Sequence, residues 1–212
     1  MGKGEMKVLL VNGSPHEKGN TATALAEISK TLESEGIDSE IFWLGTKPVR
    51  GCIGCGACRT KGAGKCVFGD DVCNELSGRL AEADGVVVGT PTYYGQPAGQ
   101  LLAVLQRAFF SNPACVAGKP AAGVAICRRG GASAAFQCLN LPFQMLNCPV
   151  VGSQYWNIAY GRAPGEAAKD DEGMQTMRTL ARNMAWLLGN IHRDGAIPRP
   201  AAEEWRPTHF IR

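Results

Sequence analysis

Two stretches of the chain gather side chains able to do chemistry. The first is Cys52-x2-Cys55-x2-Cys58-x7-Cys66, four thiols in a short, glycine-containing run. No long apolar region precedes it, so no secretory leader is expected, and clustered cysteines then point to thiols or metal ligands rather than disulfides. A zinc ribbon sets two CxxC knuckles apart with a long spacer, which is missing here. Three thiolates at two-residue gaps suit one face of a [4Fe–4S] cube, and a fourth slightly later can close it. Spacing alone keeps zinc and free thiols open as alternatives.

The second stretch is Lys7-Val-Leu-Leu-Val-Asn-Gly-Ser-Pro-His-Glu-Lys-Gly-Asn-Thr21. Ser14, Gly19, Asn20 and Thr21 fall between an apolar run at 7–11 and a helical pattern carried by Ala24, Leu25, Ile28 and Leu32. A buried strand followed by a helix start offers free N–H groups and the positive end of a helix dipole, a setting for phosphate. A P-loop needs Lys and a hydroxyl after its last glycine, and Asn20 stands there instead. A dinucleotide fingerprint needs three close glycines, and only Gly13 and Gly19 are present. Hydroxyl and amide donors suit the single phosphate of a mononucleotide. A plain strand-to-helix turn capped by Asn20 is the alternative.

The elements needed to position these residues follow from periodicity. Strands are expected at 7–11, 38–44, 85–90 and 121–127, and at Val150 and Val151. Helices are expected from Asn20, from Asp70 and Asp71, over 100–110, over 133–147 with Pro142 kinking or interrupting it, and over 171–191. Strands alternating with helices give a parallel α/β sheet, doubly wound, five-stranded, in the order 2-1-3-4-5. One domain is expected over 1–194, with the cysteine-rich loop at 47–68 and an irregular tail at 195–212. The ligand of such a sheet sits at the carboxyl ends of its first and third strands. Pro91, Thr92, Tyr93, Tyr94 and Gly95 would then face the phosphate loop, and Arg128, Arg129, Gly130 and Gly131 would close another side.

The 212 residues are 45% hydrophobic and 19% charged, with a formal net charge of +3. That balance is globular, and too weakly basic for nucleic acid as a partner. No stretch is long and apolar enough for a membrane span, and a cytoplasmic location is expected. The remaining cysteines (Cys73, Cys115, Cys127, Cys138, Cys148) lie among apolar neighbours and are expected to be small core residues.

The Gly-Ser-Pro…Gly-Asn-Thr loop, the Cys52–Cys58 run with its following Asp70-Asp71, the turn at 90–95, and Tyr155-Trp156-Asn157 before Asp170-Asp171-Glu172-Gly173 together resemble the flavodoxin-like NAD(P)H-dependent FMN reductases, iron–sulfur flavoprotein type. The resemblance spans residues 7–188. It implies FMN held by Ser14, His16, Gly19, Asn20, Thr21, the 91–95 turn, Arg128, Gly130 and Gly131, hydride delivered by NAD(P)H, and a [4Fe–4S] cluster on Cys52, Cys55, Cys58 and Cys66. The flavin carries the reaction, so no catalytic side chain is expected. It also implies a homo-oligomer, dimer or tetramer, and a small-molecule or protein electron acceptor. Exposed apolar surface for assembly would come from Tyr155, Trp156, Tyr160, Trp205, Phe210 and Ile211. Two departures stand out: His16, whose charge depends on pH, replaces a common arginine, and Leu102 and Gln106 replace Lys and Asp. The rival class is a non-enzymatic flavodoxin-like electron carrier reduced by a partner protein; a thiol or zinc sensor on an idle fold is a third.

Overall fold

The computed structural model describes residues 6–61 and 64–201, with 203, 204, 206 and 208 of the tail. Trp205, Phe210 and Ile211 lie outside the described residues. Among the described residues six strands form, β1 (Lys7–Asn12), β2 (Asp38–Trp43), β3 (Gly85–Tyr93), β4 (Gln96–Pro97), β5 (Ala121–Cys127) and β6 (Ile158–Tyr160). Six α-helices accompany them, α1 (Asn20–Ser34), α2 (Ala57–Thr60), α3 (Cys73–Glu82), α4 (Gly99–Ser111), α5 (Ala132–Met145) and α6 (Asp171–Ile191).

Five strands run parallel in the order β2-β1-β3-β5-β6, and β4 pairs only with the end of β3, antiparallel. Setting that hairpin aside, this is the doubly wound 2-1-3-4-5 arrangement. Alternation along β1 explains the two faces. Val8 and Leu10 join a core with Leu25, Ile28, Met177 and Leu180 from α1 and α6. Leu9 and Val11 join another with Leu76, Leu80, Leu101 and Leu105 from α3 and α4. All four β1 residues are fully buried, as a central parallel strand requires.

The fifth parallel strand is Ile158–Tyr160, not Val150 and Val151. Val150 makes an isolated bridge to Ala121. Pro149 precedes it and lacks an N–H, and the pairing is not prolonged. The Asn157 side chain instead spans the gap, its amide donating to Gly123 O at 3.2 Å and Val151 O at 3.3 Å. Helix α3 also starts later than expected. Asp71 precedes it and its Oδ1 accepts from Cys73 N at 3.1 Å. Pro142 lies inside α5 without ending it, three residues before its last turn closes.

Candidate functional site

At the carboxyl ends of β1, β3 and β5 lies a cleft of about 890 Å³. Its floor is the loop from Ser14 to Thr21, and that loop is braced by its own polar groups. Gly13 N donates to Gly89 O at 2.9 Å, tying it to β3. Asn12 Oδ1 accepts from Ser14 N at 3.1 Å, and Asn12 Nδ2 donates to Glu17 O at 3.2 Å. Ser14 Oγ accepts from His16 N at 3.1 Å, while Trp43 Nε1 donates to Ser14 O at 2.9 Å. The N-cap residue Gly19 supplies no side-chain cap, so the first-turn N–H groups of α1 stay open toward the cleft. Thr21 is buried beside them and its hydroxyl makes no hydrogen bond among the described residues.

Asn20 lines the cleft, but its side-chain amide is engaged elsewhere. Its Nδ2 donates to Ala163 O and its Oδ1 accepts from Ala167 N, both at 2.9 Å. The amide holds a neighbouring loop and is not free for phosphate. A Cβ at Gly161 would come within 2.8 Å of this side chain, so the close approach requires glycine there. The loop brings Gly161, Arg162 and Pro164 into the cleft wall. Sequence reasoning missed these three and Trp43, because nothing in their local spacing sets them beside residue 14. The Trp at the end of β2, an amphipathic side chain where a ligand crevice opens, was the one available signal.

Pro91, Thr92, Tyr93 and Arg128 line the cleft as expected. Thr92 Oγ1 is buried with no hydrogen-bond partner among the described residues. Tyr94 does not line it. Tyr94 (φ 51°) and Gly95 (φ 76°) form the two-residue turn between β3 and β4, and the Tyr94 side chain stands fully in solvent. Gly130 and Gly131 line a neighbouring hollow with Tyr155, Trp156 and Tyr160. Cys127 reaches the cleft from β5, and burial pushes its thiol pKa up against two backbone hydrogen bonds that lower it. The open first-turn N–H groups, the unpaired Thr92 hydroxyl and a cleft of small-ligand size fit FMN.

The four clustered cysteines line one small apolar cavity with Ile53, Val67, Phe68 and Phe110. Left-handed Gly54 (φ 65°) and Gly56 (φ 69°) turn the chain between them, and Gly54 N donates to Cys52 Sγ at 3.5 Å. Asn74 clamps Cys66, accepting from its N and donating to its O at 2.9 Å. Beneath sits Arg107, wholly buried on α4. It pairs with Asp71 and donates to Cys66 Sγ at 3.2 Å, Arg50 O at 3.1 Å and Phe68 O at 3.2 Å. Burial alone would lower its pKa, but the bonds to Asp71 and Cys66 prevail and raise it. Among the described residues no three Cys, His, Asp or Glu side chains converge as a set for a single ion. A cube puts each thiolate on its own iron, so its ligands stand wider apart. Four thiols round one cavity, with an N–H and a guanidinium directed at sulfur, fit a [4Fe–4S] centre as a donor set.

A parallel sheet with an anion-ready loop after its first strand and an aromatic turn after its third defines a mononucleotide-binding α/β protein. The chain belongs to the NADPH-dependent FMN reductase family, whose model matches residues 6–163, and is an FMN-binding oxidoreductase. An iron–sulfur flavoprotein of Methanocaldococcus jannaschii is 34% identical over 198 residues, covering 89% of this chain and 100% of the relative. Among solved structures, RosB with a bound 8-demethyl-8-formylriboflavin-5'-phosphate superposes with a TM-score of 0.67 at 14% identity, covering 97% of each chain. An archaeal flavodoxin gives 0.59 at 17% identity, over 86% of this chain and 99% of its own. At these identities the two structures speak for the flavodoxin-like fold.

Proposed function

We propose that the chain takes hydride from NAD(P)H onto FMN and hands the electrons to a small-molecule or protein acceptor, with a [4Fe–4S] centre on Cys52, Cys55, Cys58 and Cys66 as the one-electron relay. The observation that carries this is the pairing, in one chain, of an anion-ready cleft holding an unpaired Thr92 hydroxyl with a cavity walled by four thiols. When bound, FMN supplies hydride acceptance and single-electron release, and the cluster supplies single-electron transfer. The first turn of α1, Ser14 and Thr21 bind the phosphate. Pro91, Thr92 and Tyr93 would orient the ring, the buried Thr92 hydroxyl being a donor available to it. Cys127, kept protonated by burial, leaves no thiolate charge beside the ring. Arg107 and Asn74 hold the cysteine loop in the shape the relay needs.

The protein is read as a cytoplasmic homo-oligomer, dimer or tetramer. Tyr155, Trp156 and Tyr160 support this, being about half exposed or more beside the cleft. Stopped-flow mixing of FMN-loaded protein with NADH and with NADPH tests the donor. Bleaching of the flavin by either nucleotide in a single phase is expected. Reduction by a reduced ferredoxin and by neither nucleotide would favour the electron-carrier class.

A further inference from the structure

We infer that Arg162 supplies the positive charge that holds the FMN phosphate, and that Asn20 acts in binding only by positioning the loop that carries it. The inference rests on the FMN reading of the cleft. The cradle from Ser14 to Thr21 offers neutral hydroxyls and N–H groups to a group carrying roughly −1.5 to −2 charges. Its own ionisable residues, His16, Glu17 and Lys18, line the cleft from the loop tip, exposed there as Arg162 is on its own loop, with Glu17 opposing Lys18. Arg128 comes from the β5 end, beside the turn at 91–95. Arg162 lines the same cleft from a loop bonded directly to the first residue of α1, where the phosphate N–H groups are.

That loop is fixed from two sides. The Asn20 amide takes Ala163 O and Ala167 N, and the Glu166 carboxylate accepts from Arg162 N and Ala163 N, both at 2.8 Å. Among the described residues Arg162 makes no ion pair. The exposed Arg162 guanidinium, carried on that backbone-anchored loop beside open helix-start N–H groups, suits a phosphate in fork geometry as well as charge.

The experiment is titration of the apoprotein with FMN and, separately, with riboflavin. Arg162→Gln is expected to weaken FMN by about tenfold to a hundredfold, the loss of one charge-assisted bond, and to change riboflavin by less than about threefold. Arg162→Lys should recover part of the FMN loss. In an Asn20→Ala background, where the loop has lost its anchor, Arg162→Gln should cost at most about threefold more. Multiplying losses in that double variant would overturn the positioning role of Asn20. Unchanged FMN affinity in Arg162→Gln, with the loss appearing in His16→Gln or Lys18→Gln instead, would overturn the role of Arg162 while leaving the cleft an FMN site. A wild-type protein that binds FMN no better than riboflavin would overturn the phosphate site itself.

Discussion

Thr92 reports most directly on what fills the cleft. A buried hydroxyl without a partner costs the empty protein about 1–3 kcal/mol. Thr92→Val, similar in shape, should therefore raise the stability of the apoprotein by about that much in denaturant titration. If the hydroxyl serves the ring, as proposed, the same change should weaken FMN and riboflavin alike, by about tenfold. Thr21→Val should behave differently, weakening FMN by one to two decades and leaving riboflavin nearly unaffected, since Thr21 lies in the first turn of α1, where the phosphate is proposed to bind. Equal losses for both ligands would move Thr21 away from the phosphate. At this scale the position of Ser14 and Thr21 beside the cleft was legible from the strand-to-helix junction, although a hydroxyl there can equally brace the loop, as Ser14 does for His16 N. The side chains of Asn20 and Tyr94 are held differently from the reading, since an amide or an aromatic ring serves a neighbouring loop or a turn as readily as a ligand. Trp43 gave only the weak signal of an amphipathic residue at a strand end, and Arg162 gave none, since only the fold brings them near residue 14.

Helix α4 and the cysteine loop act as one element through Arg107. Its side chain is 0% exposed and that of its partner Asp71 4%. Arg107→Ala would strand a buried carboxylate and free Cys66 and Phe68, so unfolding stability should fall by roughly 3–5 kcal/mol. Arg107→Lys should recover little of this, because an ammonium cannot reach four acceptors in a planar fork. Either variant keeping full stability and full metal content would contradict the clamp. The loop at 161–167 gives a pH test. The Ala163 and Arg162 N–H groups hold Glu166 below the usual carboxylate range. A lowered folded pKa stabilises above the unfolded value and is lost as pH falls through the folded one. Exchange protection of the Arg162 and Ala163 amides, corrected for intrinsic rate, should thus persist at neutral pH and vanish only below the carboxylate range. Glu166→Ala, which leaves no acceptor, should remove it at every pH. Most helices and the first four parallel strands were legible from periodicity. The fifth was not, since Ile158–Tyr160 is three residues long and Val150-Val151 has the better strand composition but follows a proline. Arg107 could not be told from a surface arginine, because its partners lie 36 to 57 residues away.

For the molecule as a whole, the order of the sheet and the position of its crevice followed from counting alternating elements. Surfaces left open by the chain were harder to read. Leu102 and Gln106, the departures in α4, line an apolar groove of about 580 Å³ between α4 and α5, with Leu141 and the 88% exposed Met145. No local pattern announces such a groove, which needs two helices placed side by side. Light scattering of FMN-loaded protein should give a dimer or tetramer mass. Trp156→Glu should dissociate it if the aromatic loop is the interface, whereas dissociation by Met145→Glu alone would place the interface on the groove. No helix among the described residues is long and apolar enough to cross a membrane. The central claim, a flavin and an iron–sulfur centre in one chain, is tested most directly by elemental and cofactor analysis of protein purified without oxygen. The account predicts one FMN with close to four irons and four sulfides per chain, the iron lost in Cys58→Ser while FMN stays. Zinc without sulfide, or four free thiols with no metal at all, would contradict it.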